Sequence, residues 1–280
     1  MLLKTLEDQF TEIGPINTRF WMAGDTGPPV LLIHGIGGSV EEWRFNIEAL
    51  AEHHRVYALD MVGSGHSDKP AAEYSFSYLA QFVNDFMDAQ TIERATLIGH
   101  SLGGGVVLKF AIQFPDKVDR LVLVSSAGLG KEVHLAFRLS SLPLIGNWLT
   151  RPSRKGTAQL LADCYFDQDL ITDEFVEFKY RLAAQPGAQQ SFLSTVRTSA
   201  NFRGLRDHVV NSIVDNLASI TAPTFIIWGQ QDRMLPVAHA QIAASNIPHA
   251  QLHILDPCGH CPPEERPAEF NALVLEFLSG

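Results

Sequence analysis

The sequence predicts an α/β protein with a mostly parallel sheet, helices on both faces of that sheet, and an inserted helical segment. Three observations support this prediction. Short apolar runs alternate with segments whose apolar residues recur at helical spacing. The alternation stops near residue 131 and resumes near residue 221. A chain of 280 residues, 46% of them hydrophobic and 19% charged, can bury a sizeable core.

The predicted strands are continuous apolar runs, as expected for parallel strands that are buried on both faces. Right-handed crossovers between parallel strands place the intervening helices on both sides of the sheet. The segments FTEIG and INTRFWMAG flank Gly14-Pro15 and predict an antiparallel hairpin at one edge. The predicted parallel strands are VLLIH (30–34), RVYALD (55–60), ATLIG (95–99), RLVLVS (120–125), TFIIWG (224–229) and QLHILD (251–256).

Residues 131–220 contain short amphipathic segments and no strand-like run. We interpret this stretch as a helical cap, inserted into a core domain that comprises residues 1–130 and 221–280. A second interpretation is an irregular helical extension that only buries one face of the sheet. The Leu and Phe residues of the segment, together with Trp148, suggest an apolar pocket for an acyl group. The amphipathic pieces are HLAFRLSSLPLIGNWL, TAQLLADCYF, EFVEFKYRLAAQ and QQSFLSTVRTSANF.

Charge and cysteine content exclude several classes of protein. The formal net charge of −10, from 31 acidic and 21 basic residues, argues against nucleic acid or an anionic membrane as the main partner. The N-terminal stretch MLLKTLEDQFTEIG has no apolar core of a signal peptide, and no run approaches the roughly 18 apolar residues of a membrane span. Three cysteines are too few for a disulfide framework. We therefore expect a cytoplasmic protein without stable membrane insertion; its oligomeric state is left open.

The stretch LIGHSLGGG carries the strongest chemical signal. Residues 99–103 match G-x-S-x-G and lie where the predicted strand 95–99 ends and a predicted helix 102–114 begins. In this context the serine occupies a sharp turn, and glycine is required on either side because a Cβ would clash. The turn lifts the Ser101 hydroxyl above the carboxyl edge of the sheet. It also directs the N-terminus of the helix at a developing oxyanion.

With these motifs the chain resembles the α/β-hydrolase superfamily over nearly its full length. LLIHGIGGS is similar to the HGxG oxyanion loop, and LDMVGSGHSDKP is similar to a D-x-x-G-x-G-x-S-x-x-P turn of these proteins. We interpret Asp60 and Ser67 in the second motif as local hydrogen-bonding residues rather than catalysts. The resemblance implies the α/β-hydrolase fold and a reaction that needs no cofactor.

The same resemblance implies an oxyanion hole and a substrate-binding surface. The expected oxyanion donors are the main-chain N–H groups of Ile36 and Leu102, with Gly37 as the alternative to Ile36. Gly35, which lets the loop approach the substrate closely, and His100, which precedes the nucleophile, are the expected substrate-binding residues.

A catalytic triad in the chain order Ser, acid, His is also implied by the resemblance. The acid follows the strand after the insertion, where FIIWGQQDRMLP contains Asp232. Competing carboxylates fit less well, because Asp207 and Asp215 belong to the insertion and Asp256 is too close in sequence to the histidine loop. His260 is the only one of the 11 histidines that follows the last strand on a loop. The expected triad is Ser101, Asp232 and His260.

The histidine lies within C-G-H-C, the active-site tetrapeptide of protein disulfide isomerases. A thioredoxin-type C-x-x-C follows an early strand and opens a helix, so that the helix N-terminus lowers the pKa of the first thiol. Here Pro262-Pro263 follow the motif, and too few residues remain for the rest of such a sheet. A zinc site would need two further ligands, and only the distant Cys164 offers a thiol. We therefore expect no metal site, and we interpret Cys258 and Cys261 as incidental.

The resemblance favours a carboxylesterase that acts through an acyl-enzyme on a small-molecule ester with an apolar acyl or alcohol part. A serine nucleophile argues against haloalkane dehalogenases and epoxide hydrolases. The nearest alternative is a C–C bond hydrolase of the meta-cleavage-product type. Those enzymes typically carry Asn and Trp where this chain has His100 and Cys261. Arg181 and Arg197 are the candidates for the active-site arginine of those enzymes, but we interpret both as solvated surface residues. A third hypothesis is a non-catalytic member of the fold that acts as a receptor.

Overall fold

A computed structural model gives the fold and describes residues 6–280. Residues 1–5, which enter the predictions about the N-terminus and the start of the core domain, lie outside the described residues. An eight-stranded sheet and a separate pair of two-residue strands are present. The strands are β1 (Gln9–Ile13), β2 (Ile16–Ala23), β3 (Pro29–Ile33), β4 (Arg55–Leu59), β5 (Ala95–His100), β6 (Val118–Val124), β7 (Ala200–Asn201), β8 (Gly204–Leu205), β9 (Thr224–Gly229) and β10 (Gln251–Leu255).

The large sheet has the strand order β1-β2-β4-β3-β5-β6-β9-β10. The six strands from β4 to β10 in this order pair in parallel, as the alternation of strands and helices predicts. The hairpin β1–β2 pairs antiparallel, and β2 also pairs antiparallel with β4. Gly14 at the tip of the hairpin has φ of +57°, a conformation that glycine adopts without a Cβ penalty. The predicted mostly parallel sheet with an edge hairpin is confirmed.

Helices cover both faces of the sheet. Within β3, Leu31 and Ile33 pack on one side with α2, α3 and α10, whereas Val30 and Leu32 pack on the other side with α1 and α12. The strand therefore reads as a continuous apolar run. The helices are α1 (Ile47–Ala51), α2 (Phe76–Ala89), α3 (Leu102–Gln113), α4 (Leu135–Ser140), α5 (Ile145–Leu149), α6 (Arg154–Cys164), α7 (Asp173–Ala183), α8 (Ala188–Ser199), α9 (Asp207–Val214), α10 (Ala238–Asn246), α11 (Pro262–Glu265) and α12 (Pro267–Ser279).

None of the helices within residues 6–280 is both long and apolar enough to cross a membrane. Six helices, α4 to α9, follow β6 and precede β9. The same stretch contains the small hairpin β7–β8, in which Ala200 pairs with Leu205. The expectation that no strand would form between residues 131 and 220 is wrong at this point, because two-residue strands are too short to show an alternating pattern. The division into a core domain and a cap stays a prediction.

Candidate active site

Ser101 occupies a strained turn between β5 and α3. Its φ of 54° and ψ of −114° lie outside the helical and extended regions that L-residues normally adopt. Glycine is required on both sides: a Cβ on Gly99 would lie 2.3 Å from the carbonyl oxygen of Gly103, and one on Gly103 would lie 2.2 Å from that of Ile33. The Ser101 main chain is held in place by its N–H, which donates to the carbonyl of Val124 over 2.9 Å. The sequence G-x-S-x-G therefore forms the turn that presents its serine at the sheet edge.

The structure brings Ser101, His260 and Asp232 into one hydrogen-bonded row. The Oγ of Ser101 lies 2.9 Å from Nε2 of His260, and Nδ1 of His260 lies 2.8 Å from Oδ2 of Asp232. The Asp232 side chain is completely buried, and its Oδ1 accepts the main-chain N–H groups of Met234 and Leu235. An imidazole that donates Nδ1–H to this carboxylate has Nε2 free to accept the serine proton. This arrangement can activate the hydroxyl as a nucleophile.

The competing carboxylates lie elsewhere. Asp207 is exposed and pairs with Lys131 at 2.6 Å. Asp215 follows the last turn of α9. Asp256 accepts a hydrogen bond from the amide of Gln231 over 2.7 Å, although it is only four residues from His260. None of these three carboxylates is placed behind the imidazole, where Asp232 lies.

Main-chain hydrogen bonds hold the His260 loop from several sides. The Oε1 of Glu265 accepts the N–H groups of Gly259 and Cys261 at 3.0 and 3.1 Å. The N–H of His260 itself donates to the carbonyl of Cys164, at the end of α6, over 2.7 Å. Sequence reasoning missed Glu265. Its only local signal is its position just after Pro262-Pro263, which does not indicate where the carboxylate points.

The expected oxyanion donors border the cavity next to Ser101. Within residues 6–280, the N–H groups of Ile36, Gly37 and Leu102 donate to no protein acceptor. Gly37 has φ of +66°. Leu102 is the first residue of α3, where N–H groups have no partner inside the helix. These donors could bind an anionic oxygen, and their role in an oxyanion hole stays a prediction.

Gly35 and His100 also border the cavity, but their polar groups face protein atoms. The N–H of Gly35 donates to Oε2 of Glu42 over 3.0 Å. Nδ1 of His100 lies 3.3 Å from the same oxygen, and Nε2 of His100 lies 2.8 Å from the carbonyl oxygen of His260. Their assignment as substrate-binding residues stays a prediction. Glu42, which no sequence motif indicated, is the residue that connects them.

A partly buried cation, Lys179, lies in the cavity wall next to Glu42. Its Nζ is 3.4 Å from Oε1 of Glu42. Burial alone would lower the pKa of Lys179, but the carboxylates of Glu42 and Glu264 outweigh burial and raise that pKa above its ordinary value. Glu264 in turn accepts hydrogen bonds from Arg44 and from the hydroxyl of Tyr165. The cavity wall beside Ser101 therefore contains a compensated set of charges.

The two arginines considered for a C–C hydrolase do not border this cavity. Arg181 is 76% exposed and pairs with Glu177 at 2.8 Å. Arg197 donates to the side-chain oxygen of Asn147 over 2.8 Å. Lys179, two residues before Arg181, points into the site instead. On a helix, a shift of two positions changes the face by about 200°.

The cavity above Ser101 and His260 has a volume of about 390 Å³. The segment 131–220 contributes both apolar and polar side chains to its lining, and the acyl pocket stays a prediction. Trp148 does not take part, because it is 69% exposed and does not line the cavity. The leucine and phenylalanine side chains contributed by the segment are Phe137, Leu149, Leu160, Leu161, Leu182 and Phe192.

The three cysteines are free thiols in two different environments. Cys258 packs in the sheet core, and burial raises the pKa of its thiol. Cys261 packs with Cys164 and Tyr165, and a hydrogen bond with Cys164 together with burial raises its pKa well above the ordinary value. Reactive thiols have lowered pKa values, so both thiols are inert by this criterion. Within residues 6–280, no three His, Cys, Asp or Glu side chains are grouped so that they could hold a metal ion.

Comparison with known proteins agrees with this fold. A family model described as alpha/beta hydrolase fold matches residues 28–267, and the chain belongs to this family. The predicted family and fold class are confirmed, and the chain is a hydrolase at this level of description. A 2-hydroxymuconate semialdehyde hydrolase of Pseudomonas sp. strain CF600 is 35% identical over 260 residues, which cover 90% of this chain and 87% of that protein.

Two further similarities extend the comparison. An uncharacterized protein of Mycobacterium tuberculosis is 36% identical over 286 residues, with 96% of this chain and 80% of that protein covered. A solved structure of a serine-to-alanine mutant of the meta-cleavage product hydrolase from Pseudomonas fluorescens IP01 superimposes with a TM-score of 0.85 and 31% identity. That match covers 98% of both chains.

Proposed function

We propose that this hydrolase cleaves carboxylic esters of small molecules through an acyl-enzyme. Ser101 is the nucleophile, His260 the general base and Asp232 the acid of the triad. The observation that carries the proposal is the Ser101 hydroxyl, 2.9 Å from Nε2 of His260, at the floor of a largely apolar cavity. A neutral ester with an apolar acyl or alcohol part matches that cavity in size and polarity.

The chemistry follows from the placement of these groups. Ser101 Oγ attacks the carbonyl carbon while His260 Nε2 takes the hydroxyl proton, and Asp232 stabilises the imidazolium that forms. The developing oxyanion accepts hydrogen bonds from the N–H groups of Leu102 and of Ile36, with Gly37 as the alternative. His260 then gives its proton to the leaving alcohol. Water attacks the acyl-enzyme with His260 again as base, and the acid product leaves.

The segment 131–220 acts in this proposal as a cap over the nucleophile. Its helices α4, α6 and α8 contribute Phe137, Leu160 and Phe192 to the cavity wall. These side chains exclude water from the acyl group and bury apolar surface of the substrate. Burial of that surface contributes about 25 cal/mol per Å². The cap thereby favours esters with apolar substituents.

Cleavage of a C–C bond is the second candidate, because two of the similar proteins are named for it: the 2-hydroxymuconate semialdehyde hydrolase and the meta-cleavage product hydrolase. A muconate semialdehyde carries a carboxylate, which needs a cation in the site. Lys179 and the exposed Arg151 are cationic side chains that border the cavity. Lys179 already faces Glu42, so a substrate carboxylate that approached Lys179 would also meet the negative charge of Glu42. On this side of the cavity the arrangement favours a neutral ester over a substrate that carries a carboxylate.

A direct comparison of substrates tests the proposal. The purified protein is assayed with p-nitrophenyl esters of increasing acyl length and, at matched concentrations, with 2-hydroxymuconate semialdehyde. We expect a burst of p-nitrophenol followed by steady turnover, with kcat/KM for the best ester well above that for the semialdehyde. The Ser101→Ala variant controls for hydrolysis elsewhere on the protein. A higher kcat/KM for the semialdehyde would establish the C–C hydrolase instead, and a folded wild-type protein without turnover of either would favour a receptor.

A further inference from the structure

Three segments of the active site meet through two buried side chains, Glu42 and His100. Oε2 of Glu42 accepts the N–H of Gly35, in the loop after β3, over 3.0 Å. The same oxygen lies 3.3 Å from Nδ1 of His100, the residue immediately before the nucleophile. Nε2 of His100 lies 2.8 Å from the carbonyl oxygen of His260. The contacts thus run from the oxyanion loop after β3, past the turn that contains Ser101, to the loop that contains His260.

The donors and acceptors in these contacts determine the protonation of His100. Both of its ring nitrogens face acceptors, a carboxylate oxygen and a carbonyl oxygen, so both must donate and the ring is an imidazolium. Glu42 is the matching anion, because its two oxygens face the N–H of Gly35 and the ammonium of Lys179. Burial alone would raise the pKa of Glu42, but Lys179 and His100 hold it well below the ordinary value.

The pKa of His100 supports the same assignment. Burial alone would lower it, but hydrogen bonds with Cys261 and Glu42 hold it well above the ordinary value. Of these two partners, Glu42 is the one that stabilises the charge, because the thiol of Cys261 stays protonated at neutral pH. Other titratable groups around Glu42 are His34, Lys179 and the hydroxyl of Tyr165.

The His260 ring also faces His100, with the ring centroids 5.0 Å apart. A second positive charge so close would oppose the imidazolium that forms on His260 during catalysis. Oε2 of Glu42 lies 3.3 Å from Nδ1 of His100, so the His260 ring meets a compensated ion pair rather than a bare charge. The charged form of His100 is therefore compatible with a catalytic base beside it.

We propose that His100 is a positioning residue, which donates from both ring nitrogens and ties the His260 loop to the oxyanion loop through Glu42. The kinetic tests of this inference rest on the proposed function, because they measure the rate of ester hydrolysis. His100 acts on the main chain of His260 rather than on the substrate. The position of that main chain sets where Nε2 of His260 meets the Ser101 hydroxyl. Loss of either bond from His100 therefore lowers kcat and leaves KM, which depends on the apolar cavity, nearly unchanged.

Deprotonation of His100 leaves one N–H for two acceptors, so one of the two hydrogen bonds is lost. We expect kcat of the wild type to fall at alkaline pH for this reason. Glu42→Gln removes the anion that stabilises the imidazolium, and the alkaline fall should move to lower pH. Glu41→Gln is the matched control. Glu41 is the neighbouring partly buried carboxylate, and it pairs with Arg19 at 2.8 Å rather than with His100. In that variant the alkaline fall in kcat should occur at the same pH as in the wild type.

Two substitutions of His100 separate its two bonds. His100→Gln retains an N–H donor near the position of Nε2, and His100→Asn retains one near Nδ1. Neither amide titrates, so both variants should lose the alkaline fall. We expect His100→Gln to keep kcat within about tenfold, and His100→Asn to lose about 10²-fold, the effect of a misplacement of roughly 1 Å. Equal kcat values in the two variants, or an alkaline fall that persists in His100→Gln, would overturn the proposal.

Histidine-selective NMR tests the proposal without any substrate. In the Ser101→Ala protein with labelled imidazole nitrogens, the signals of His100 are assigned by their loss in a His100→Gln background. We expect both nitrogens of His100 to be protonated at neutral pH and the ring to lose a proton only well above it. A His100 ring that is neutral at pH 7 would refute the inference, even if the esterase proposal holds. Conversely, a doubly protonated ring in a protein that lacks esterase activity would refute only the proposed function.

Discussion

The carbonyl oxygen of Cys164 accepts a hydrogen bond from the main-chain N–H of His260 over 2.7 Å. This bond joins the end of α6, in the segment between β6 and β9, to the loop that contains His260. Next to it, Oε2 of Glu265 accepts the N–H of Phe166 over 2.7 Å. The wall of the cavity and the position of His260 are therefore coupled, and a displacement of α6 would displace His260.

Glu265→Ala should weaken this coupling. The substitution leaves the N–H groups of Gly259, Cys261 and Phe166 without their acceptor, and each such loss costs about 1–3 kcal/mol where water cannot replace it. We expect a lower free energy of unfolding in urea and a lower kcat. Glu269→Ala removes a carboxylate on the next helix that, among residues 6–280, pairs with Arg266 alone, and it should change neither quantity appreciably. If the two variants behave alike, Glu265 does not organise the loop.

Ser101→Ala should abolish ester hydrolysis and leave the fold intact. The hydroxyl has one side-chain partner, Nε2 of His260, and supports little packing. By analogy with other triads the loss in kcat should be on the order of 10⁴-fold or more. Initial rates with a p-nitrophenyl ester, together with circular dichroism and thermal unfolding, measure both effects. A variant that retained a substantial fraction of the wild-type kcat would show that another group is the nucleophile.

Asp232→Asn should be the most damaging of four carboxylate substitutions. An amide at this position favours the wrong tautomer of His260 at little steric cost, and the expected loss in kcat is about 10⁴-fold. The controls Asp207→Asn, Asp215→Asn and Asp256→Asn should each remain within about tenfold of wild type, because none of these carboxylates contacts the imidazole. The kcat values of the four purified variants check this order. Greater damage from Asp256→Asn would mean that the acid is misassigned.

Replacement of Cys258 and Cys261 by alanine should retain hydrolysis within about tenfold, since neither thiol contacts the Ser101 hydroxyl or the catalytic nitrogens of His260. The pKa values of both thiols are raised, so iodoacetamide should alkylate the folded protein slowly at neutral pH, and insulin-reduction assays should show no activity. His260→Ala in the same background should lose hydrolysis. Loss of all activity in a folded double variant, together with thiol–disulfide exchange by the wild type, would reverse this interpretation.

Much of the fold followed from local patterns, and the candidate triad followed from the resemblance to α/β-hydrolases. Continuous apolar runs indicated strands that are buried on both faces, and the structure places strands there. The glycines around Ser101 indicated a turn in which a Cβ would clash, and such clashes are present at Gly99 and Gly103. The resemblance implied that Ser101, Asp232 and His260 lie together. The two hydrogen bonds between them agree with that expectation.

The surroundings of the triad could not be read from the sequence. Glu42 and His100 are 58 positions apart, and His100 and the carbonyl of His260 are 160 positions apart. Glu42 lies in a short 3₁₀ turn and Lys179 on an amphipathic helix, so by local pattern each resembles a solvated charge. Trp148 resembled a cavity residue and lies on the surface.

The sequence by itself determined which residues would stand at strand ends and turns, because local sterics and strand periodicity act over a few residues. Only the tertiary structure decided that Glu42, Lys179 and His100 face one another next to Ser101. The physical reason is desolvation: a charge that local pattern places at the surface is stabilised in the interior only by partners from distant segments. Those partners come together only when the chain has folded.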